Sequence, residues 1–348
     1  MERLKSYILT IWLQLRDIFL YVFRHAIILN GYVDDYTWRG IRHRNWGDDL
    51  NYYLLRKLTG RPVICYHNFK LAKWFHLKNY MCIGTMMDAD DVINEQTIIW
   101  GSGVSGLERS FVHPHKILSV RGPKTKEFCD RYQVRCPEVY GDPALLLPLV
   151  YRPEWGAGDK FQVLSVASLG ESEQSSNSSS KFFQSLRLVK ASRARTQVSK
   201  YKMGIIPHIV DQQHPVIQEI CEKYADEILI IDLAHFERWT DVIDQICSCE
   251  KILSSSLHGI IVSDAYQVPS CWITLSGEAI IGHFKFLDYF SSVQRNVEDW
   301  VKITKSEELF SIPCSCADIN SIKRCQHQLL EFSPFKVKDF TIKEIVSY

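Results

Sequence analysis

With 348 residues, 46% hydrophobic and 23% charged, the chain has the length for two domains of ordinary size and enough apolar residues to bury real cores. Its 41 Lys and Arg against 40 Asp and Glu leave a net charge of +1, and no basic tail or aromatic-basic module points to nucleic acid. The 11 cysteines include no CxxC pair, and Cys247-Ser-Cys249 and Cys314-Ser-Cys316 are too tight for zinc knuckles, so free thiols in a reducing cytosol and no metal are expected.

The chain opens on an amphipathic run, placed over residues 1–30. Tyr7, Ile8, Ile11, Trp12, Leu15, Ile18, Phe19, Val22 and Phe23 recur at helical spacing, interrupted by Arg3, Lys5, Gln14, Arg16, Asp17 and Arg24. The charge-free stretch 6–15 falls far short of the ~20 apolar residues that span a bilayer. No small-residue cleavage site follows, which argues against a signal peptide. Two readings stay open: a helix docked on the protein's own core or on a second subunit, and an interfacial helix with Trp12 and the arginines at the headgroups.

Residues 31–150 read as a first Rossmann-like domain. Asn45-Trp-Gly47-Asp48-Asp49 leads into a helix that ends at Thr59-Gly60. Either aspartate suits an N-cap or first turn, and the pair beside Asn45 also suits a sugar hydroxyl. Short β-rich runs follow at 62–66, 80–83, 97–100 and 116–120. Gly101-Ser-Gly103-Val-Ser-Gly106 matches a dinucleotide fingerprint, but no helical period follows it, so a glycine-rich loop bordering a cleft is the better reading. Arg121, Lys124 and Lys126 gather around the helix start at Pro123, where cations oppose the helix dipole. A bound anion would make that arrangement favourable, with Arg121 as a bidentate fork. Gly141-Asp142-Pro143 punctuates a strand end, where Asp142 holds a loop or meets a ligand.

Residues 151–200 change character, with the low-complexity stretch 171–180 and the basic Arg193 and Arg195, and read as a linker or insertion. From residue 201 to 348 strands and helices alternate: strands at 203–206, 227–232, 251–254 and 270–274, helices at 213–224 and 240–247, and a helix opening at or just before His258. Such alternation with short apolar strands indicates a parallel sheet covered on both faces. Ligands then sit at the carboxyl ends of strands. His208, the 254–259 turn, Gly101–Gly106 and Arg121 all fall at such ends. The natural architecture is α/β, two Rossmann-like domains facing across a cleft.

The turn Ser254-Ser255-Ser256-Leu257-His258-Gly259 carries the most chemistry. A strand turning sharply into a helix leaves backbone N–H groups unpaired at the positive end of the dipole, an anion site. Gly259 would clear space for a ligand's oxygens, and His258 at that mouth is a candidate general acid.

Taken in order, Asn45-Trp-Gly47-Asp48, Trp100-Gly-Ser-Gly103, Val120-Arg121-Gly122-Pro with Thr125, Gly141-Asp142-Pro, Gly204-Ile-Ile-Pro207-His208, Ser254 to Gly259, and Lys285-Phe-Leu-Asp288-Tyr289 resemble the polysaccharide pyruvyl transferase family over roughly residues 42–297. The resemblance implies a GT-B-like fold and transfer of pyruvate from phosphoenolpyruvate to a sugar, with release of phosphate and no cofactor. Family habit implies a 4,6-ketal on a galactose-type residue of a lipid-linked bacterial surface polysaccharide or capsule precursor. It puts the catalytic acid on His258 and donor binding on Arg121. Asp48 is the candidate hydroxyl base, with Asp49 and Asp142 as alternatives. One departure is Ser256, where some members carry arginine. Lys124, His208 and the 254–259 backbone, with Ser255, Ser256, Leu257 and Gly259, are candidates to take over that contact. The implied location is cytoplasmic, peripheral on the inner face of the membrane, with homo-oligomers allowed. A nucleotide-sugar glycosyltransferase of the same fold and a non-catalytic glycan-binding member are the alternatives.

Overall fold

The computed structural model describes residues 2–31, 37–38, 41–42, 45–89, 92–107, 111–153, 163–166, 186–189, 200–208, 211–212, 214–275, 282–296 and 300–338. The serine-rich stretch 171–180, with Arg193 and Arg195, lies outside the described residues.

The first half runs α1 (Glu2–Arg24), β1 (Ile27–Leu29), the short antiparallel pair β2 (Thr37–Trp38) and β3 (Ile41–Arg42), α2 (Trp46–Thr59), β4 (Val63–Cys65), α3 (Lys70–Trp74), β5 (Asn79–Met81), β6 (Thr97–Trp100), β7 (Lys116–Ser119) and α4 (Pro123–Arg131). A 3₁₀ turn, Pro143–Leu146, then runs into α5 (Leu147–Val150). Strands β4-β1-β5-β6-β7 form one sheet in that order, all parallel. Within residues 151–200, β8 (Val163–Val166) and β9 (Leu186–Val189) pair antiparallel.

The second half runs β10 (Met203–Ile206), α6 (Pro215–Lys223), β11 (Ile228–Ile230), α7 (Asp241–Cys247), β12 (Ile252–Ser254), α8 (Leu257–Ala265), β13 (Ser270–Thr274), α9 (His283–Ser292), β14 (Val301–Lys302) and α10 (Ile319–Glu331). Strands β11-β10-β12-β13-β14 make a second all-parallel sheet.

Strand residues alternate between faces, and the burial follows that period. Ile27 and Leu29 of β1 join the cluster under α2, whereas Ile28 joins a separate cluster with Ile64, Phe69 and Ala72 under α1 and α3. In the second sheet Ile206, Ile252 and Trp272 face one side, and Ile205, Leu253 and Ile273 the other. Both sheets are therefore covered on two faces, as parallel sheets require.

The helix expected over 1–30 ends at Arg24. His25 adopts φ 50°, and the chain enters β1 two residues later. The β-branched pair Ile27-Ile28 continues the apolar run, and periodicity alone cannot separate a short buried strand from more helix. No helix among the described residues is long and apolar enough to cross a membrane.

One hydrophobic cluster runs through both halves, joining Leu54 and Leu145 to Ile260 and Phe290. Two tryptophans fasten it. Trp46, fully buried, donates its backbone N–H to Leu233 O at 2.9 Å and its Nε1–H to Trp239 O at 2.8 Å. Trp100 donates Nε1–H to Leu329 O at 2.9 Å, so α10, reached last in sequence, packs back on the first half. Gln326 of α10 adds a bond to Leu145 O at 2.7 Å. Trp46→Phe leaves the Trp239 carbonyl without that donor. We expect a loss of about 1–3 kcal/mol in urea denaturation.

Candidate active site

Helix α8 begins where β12 stops. Ser254 Oγ accepts from Ser256 N at 3.0 Å and donates to Ser256 O at 2.8 Å, which locks the turn. Ser255 Oγ accepts from His208 N at 2.7 Å and donates to Asp211 at 3.2 Å, tying the ends of β10 and β12 together. Ser256 is the N-cap, extended at φ −105° and ψ 131°, and its side chain makes no cap bond. The first N–H groups of α8 thus have no side-chain cap, at the positive end of the dipole. Leu257 is buried in the core. Gly259 has a different role from ligand clearance. A Cβ there would lie 2.4 Å from Ser254 Oγ and 2.8 Å from Ile206, so the glycine lets the helix start pack against its own strand end.

Helix α2 begins against the same spot. Its cap is Asn45, whose Oδ1 accepts from Gly47 N at 3.1 Å; Asp48 and Asp49 occupy the first turn. A Cβ on Gly47 would lie 1.9 Å from Nδ1 of His258, so the α2 backbone passes directly against the imidazole. No other residue type allows that approach without moving the ring. Asp48 and Asp49 are buried, while His258 is half-buried.

A third helix start, that of α9, brings Lys285, whose charge acts on Asp48, His208 and His258. Burial, with the neighbouring Asp49 charge, pushes the Asp48 carboxyl up to about 7, against the pull of Lys285 and Asn45. Burial and the Arg121 charge hold Lys285 down to about 8, opposed by Asp48. Burial, then Lys285, then Arg121 push His258 down to about 3. The residue's partial exposure moderates that depression without reversing it, so the imidazole is neutral at pH 7. His208 is lowered by burial and Lys285, with Asp211 opposing. A neutral histidine, a carboxyl near its midpoint and a weakened ammonium therefore share one neck where three helix N-termini converge.

Arg121 stands behind this group, fully buried. Its Nε–H donates to Asp288 at 3.0 Å, and its two terminal nitrogens donate to Thr85 Oγ1 at 2.7 Å and Val104 O at 2.9 Å. Asp288 of α9 also accepts from Thr125 N at 2.9 Å and Thr125 Oγ1 at 2.7 Å. The anion that the basic start of α4 requires is thus supplied by the chain itself, from the other half. That corrects the expectation that the basic cluster there needs a ligand. Gly103 makes room for the guanidinium, since a Cβ there would lie 2.4 Å from its Cζ. The glycine-rich loop so serves the arginine. Lys124 lies partly exposed in the first turn of α4. Asp142 caps the 3₁₀ turn, accepting from Ala144 N at 2.9 Å, and burial raises its carboxyl to about 6.

The fold therefore brings Asp48, His208, Ser255, Ser256 and His258 to one place and sets Arg121 behind them. Leu257 and Gly259 contribute backbone there rather than side chains. Lys285 and Asp288 are the residues that sequence reasoning passed over as site members. Both stand in the segment Lys285-Phe-Leu-Asp288, where a cation one turn before an acid was the available signal. Among the described residues no group of three or more His, Cys, Asp or Glu could hold a metal ion.

An uncharacterized protein of Acanthamoeba polyphaga mimivirus is 35% identical over 92 residues, 26% of this chain and 31% of its own length. The match thus spans under a third of that relative. No solved structure matches the chain. The description "Polysaccharide pyruvyl transferase" belongs to a family whose sequence model matches residues 12–277, more than half of the chain and inclusive of every residue of the α2 and α8 helix starts. The chain belongs to the polysaccharide pyruvyl transferase family.

Proposed function

We propose that the protein moves pyruvate from phosphoenolpyruvate onto two hydroxyls of a saccharide, as a cyclic ketal, and releases phosphate. In this reading residues 31–150 and 201–348 are two GT-B-like halves around the Asp48–His258 neck. The acceptor is a lipid-linked precursor with a galactose-type residue bridged at O4 and O6, met at the inner face of the membrane. The observation that carries the proposal is the contact of Gly47 with His258, which sets the α2 and α8 helix starts side by side, next to Lys285 of α9. A small trianion with a phosphate and a carboxylate needs several converging donors, and helix N-termini with a lysine between them provide these.

The chemistry follows from the same residues. Protonation of the donor's methylene carbon makes its C2 electrophilic, and one sugar hydroxyl adds there. Phosphate then leaves, and the second hydroxyl closes the ketal. Of the two hydroxyl protons released, one replaces the proton given to the methyl carbon and the other leaves with phosphate. His258 is the acid and Asp48, with its raised carboxyl, the base that accepts from the attacking hydroxyl. Lys124, His208 and the N–H groups of Leu257 and Gly259 hold the donor, while Ser255 and Ser256, whose own N–H groups are bonded to Ile206 O and Ser254 Oγ, fix the turn that presents them; Arg121 adds its field.

A neutral His258 must acquire its proton before it can give one. The donor's negative charge favours protonation of His258, Asp48 and Lys285 alike, so donor binding takes up protons. Groups whose pKa rises on binding make affinity rise as pH falls, here first through about 8, where Lys285 titrates. Calorimetry of phosphoenolpyruvate binding in buffers of different ionisation enthalpy should show net proton uptake, reduced in Lys285→Met and His258→Asn. Uptake unchanged in both variants would remove these groups from the donor site.

The reaction itself is tested by phosphate release from phosphoenolpyruvate with a panel of lipid-linked saccharides. Acceptor-dependent release supports the proposal. Consumption of a nucleotide sugar instead would make the protein a glycosyltransferase. Glycan binding without turnover of either donor would make it a binding protein.

A further inference from the structure

Helix α1 is packed with its polar side inward. Gln14 donates its side-chain N–H to Asn68 O at 2.6 Å and accepts from Lys70 N at 2.9 Å, the backbone that starts α3. Asp17 is buried, 3% exposed, and accepts from Arg16 Nε at 2.9 Å. Ile18, Leu20 and Tyr21 complete the contact with the first sheet. The apolar stripe faces away from the protein. Ile8, Ile11, Trp12, Leu15, Phe19 and Phe23 are each between 44% and 67% exposed. At 3.6 residues per turn these six positions fall within an arc of roughly 120°. An ordinary surface helix turns such a stripe toward its own core.

A second exposed apolar element lies on α3, whose start α1 grips through Gln14. The end of α3, which packs with α1 on one face of the first sheet through Leu71 and Ala72, carries Trp74 at 72% and Phe75 at 67% exposure, adjacent in sequence. Lysines surround this second apolar tip: Lys70, Lys73 and Lys78 are exposed. From residue 50 to residue 87 the chain has six Lys and Arg (Arg56, Lys57, Arg61, Lys70, Lys73 and Lys78) and no Asp or Glu. In a chain whose overall charge is +1, that is a strong local asymmetry. Arg61 is tied to the chain just after α1 through His25 O at 2.5 Å, a further link between the basic segment and the apolar helix beside the Gln14 bonds.

We infer that α1 and the Trp74-Phe75 tip of α3 together form a docking face for an anionic lipid bilayer. The tryptophans and phenylalanines enter the headgroup and upper acyl region, and the lysines of α3 meet anionic headgroups. Charge selects this occupant over a second copy of the chain. A two-fold dimer through the same face would set Lys70, Lys73 and Lys78 near their own copies with no acid from residues 50–87 to offset them. The inference deepens the proposed use of a lipid-linked acceptor by adding a second, basic anchor to α1, but it does not depend on the reaction.

Flotation of the full chain with vesicles tests it apart from any activity. Vesicles of phosphatidylcholine and phosphatidylglycerol in equal parts should carry the protein to the top of the gradient, and added salt should weaken the binding. Neutralising three charges, in Lys70→Gln/Lys73→Gln/Lys78→Gln, should lower the affinity for these vesicles roughly a hundredfold, at the strength each lysine has near an anionic surface. Trp74→Ser/Phe75→Ser should lower binding to mixed vesicles with the lysines intact. All five side chains are exposed, so thermal unfolding should stay as in the parent. Equal binding to pure phosphatidylcholine, or indifference to the α3 variants, overturns the two-element face. So does absence of binding, whether the protein then sediments as a monomer or as a dimer that Trp12→Glu/Phe19→Glu separates. Phosphate release with a soluble acceptor should be normal in the α3 variants, so loss of the membrane face and loss of the reaction read out separately.

Discussion

Replacing His258 with asparagine lowers phosphate release from phosphoenolpyruvate about 10²–10⁴-fold, the contribution expected of a positioned general acid. The change should fall mainly on kcat, because the α8 backbone donors and Lys285 remain to hold the donor. Gly47→Ala should approach the same loss by a different route. The new methyl group would start 1.9 Å from Nδ1, so the ring must swing out of the α2–α8 contact although every catalytic residue is still present. A fall in kcat in both variants, with unfolding temperatures near the parent's, identifies the imidazole's position as what the site depends on. Full activity in Gly47→Ala would show that the packing of α2 on His258 does not set the acid. Ser256, which some family members replace by arginine, offers a milder contrast. The field from Arg121 and Lys285 already depresses His258, and a further cation at 256 would add to that depression.

Asp288→Ala should destabilise the fold by about 3–5 kcal/mol, because it leaves the buried Arg121 guanidinium without its counter-charge. Thr125 would lose both the acceptor for its backbone N–H and the partner of its hydroxyl in the same step. The contrast is Asp130→Ala, which breaks the exposed Lys126–Asp130 pair on the same helix. That change should stay within about 0.5 kcal/mol. Urea denaturation distinguishes the two. Replacing both partners, in Arg121→Met/Asp288→Leu, should recover much of the stability, since an apolar pair carries no stranded charge. Activity should not return with it, because the field that Arg121 casts on Lys285 and His258 is gone. If Asp288→Ala were as stable as the parent, Arg121 would be held by something other than this ion pair, and a ligand anion would again be the better explanation.

What the amino-acid order disclosed depended on how local each determinant was. Strands β6, β10 and β13 match the expected runs at 97–100, 203–206 and 270–274, because each is a short apolar run next to Gly, Pro or Ser. Strand β1 hid inside the opening helix, since His25 breaks the helix with a backbone angle that its residue type does not announce. The turn from Ser254 to Gly259 was legible as a helix start with unpaired N–H groups. The reason for its glycine was not, because Ile206 and the Ser254 hydroxyl fill that space only once the sheet forms. Arg121 looked like a ligand-binding fork for the same reason. Its partner is 167 residues away, and no spacing rule reaches across two sheets. The importance of Lys285 comes from where α9 ends up, within electrostatic reach of Asp48 and His258, rather than from its neighbours in the chain.

The proposed reaction is tested most directly by running it in heavy water with phosphoenolpyruvate and a lipid-linked acceptor, and weighing the product. The acceptor should gain a pyruvate ketal whose methyl group carries one solvent deuterium, placed there in the step assigned to His258, with one phosphate released per ketal. A ketal formed without that deuterium would contradict protonation at the methylene carbon. Phosphate release with no pyruvate on the acceptor would contradict the transfer itself.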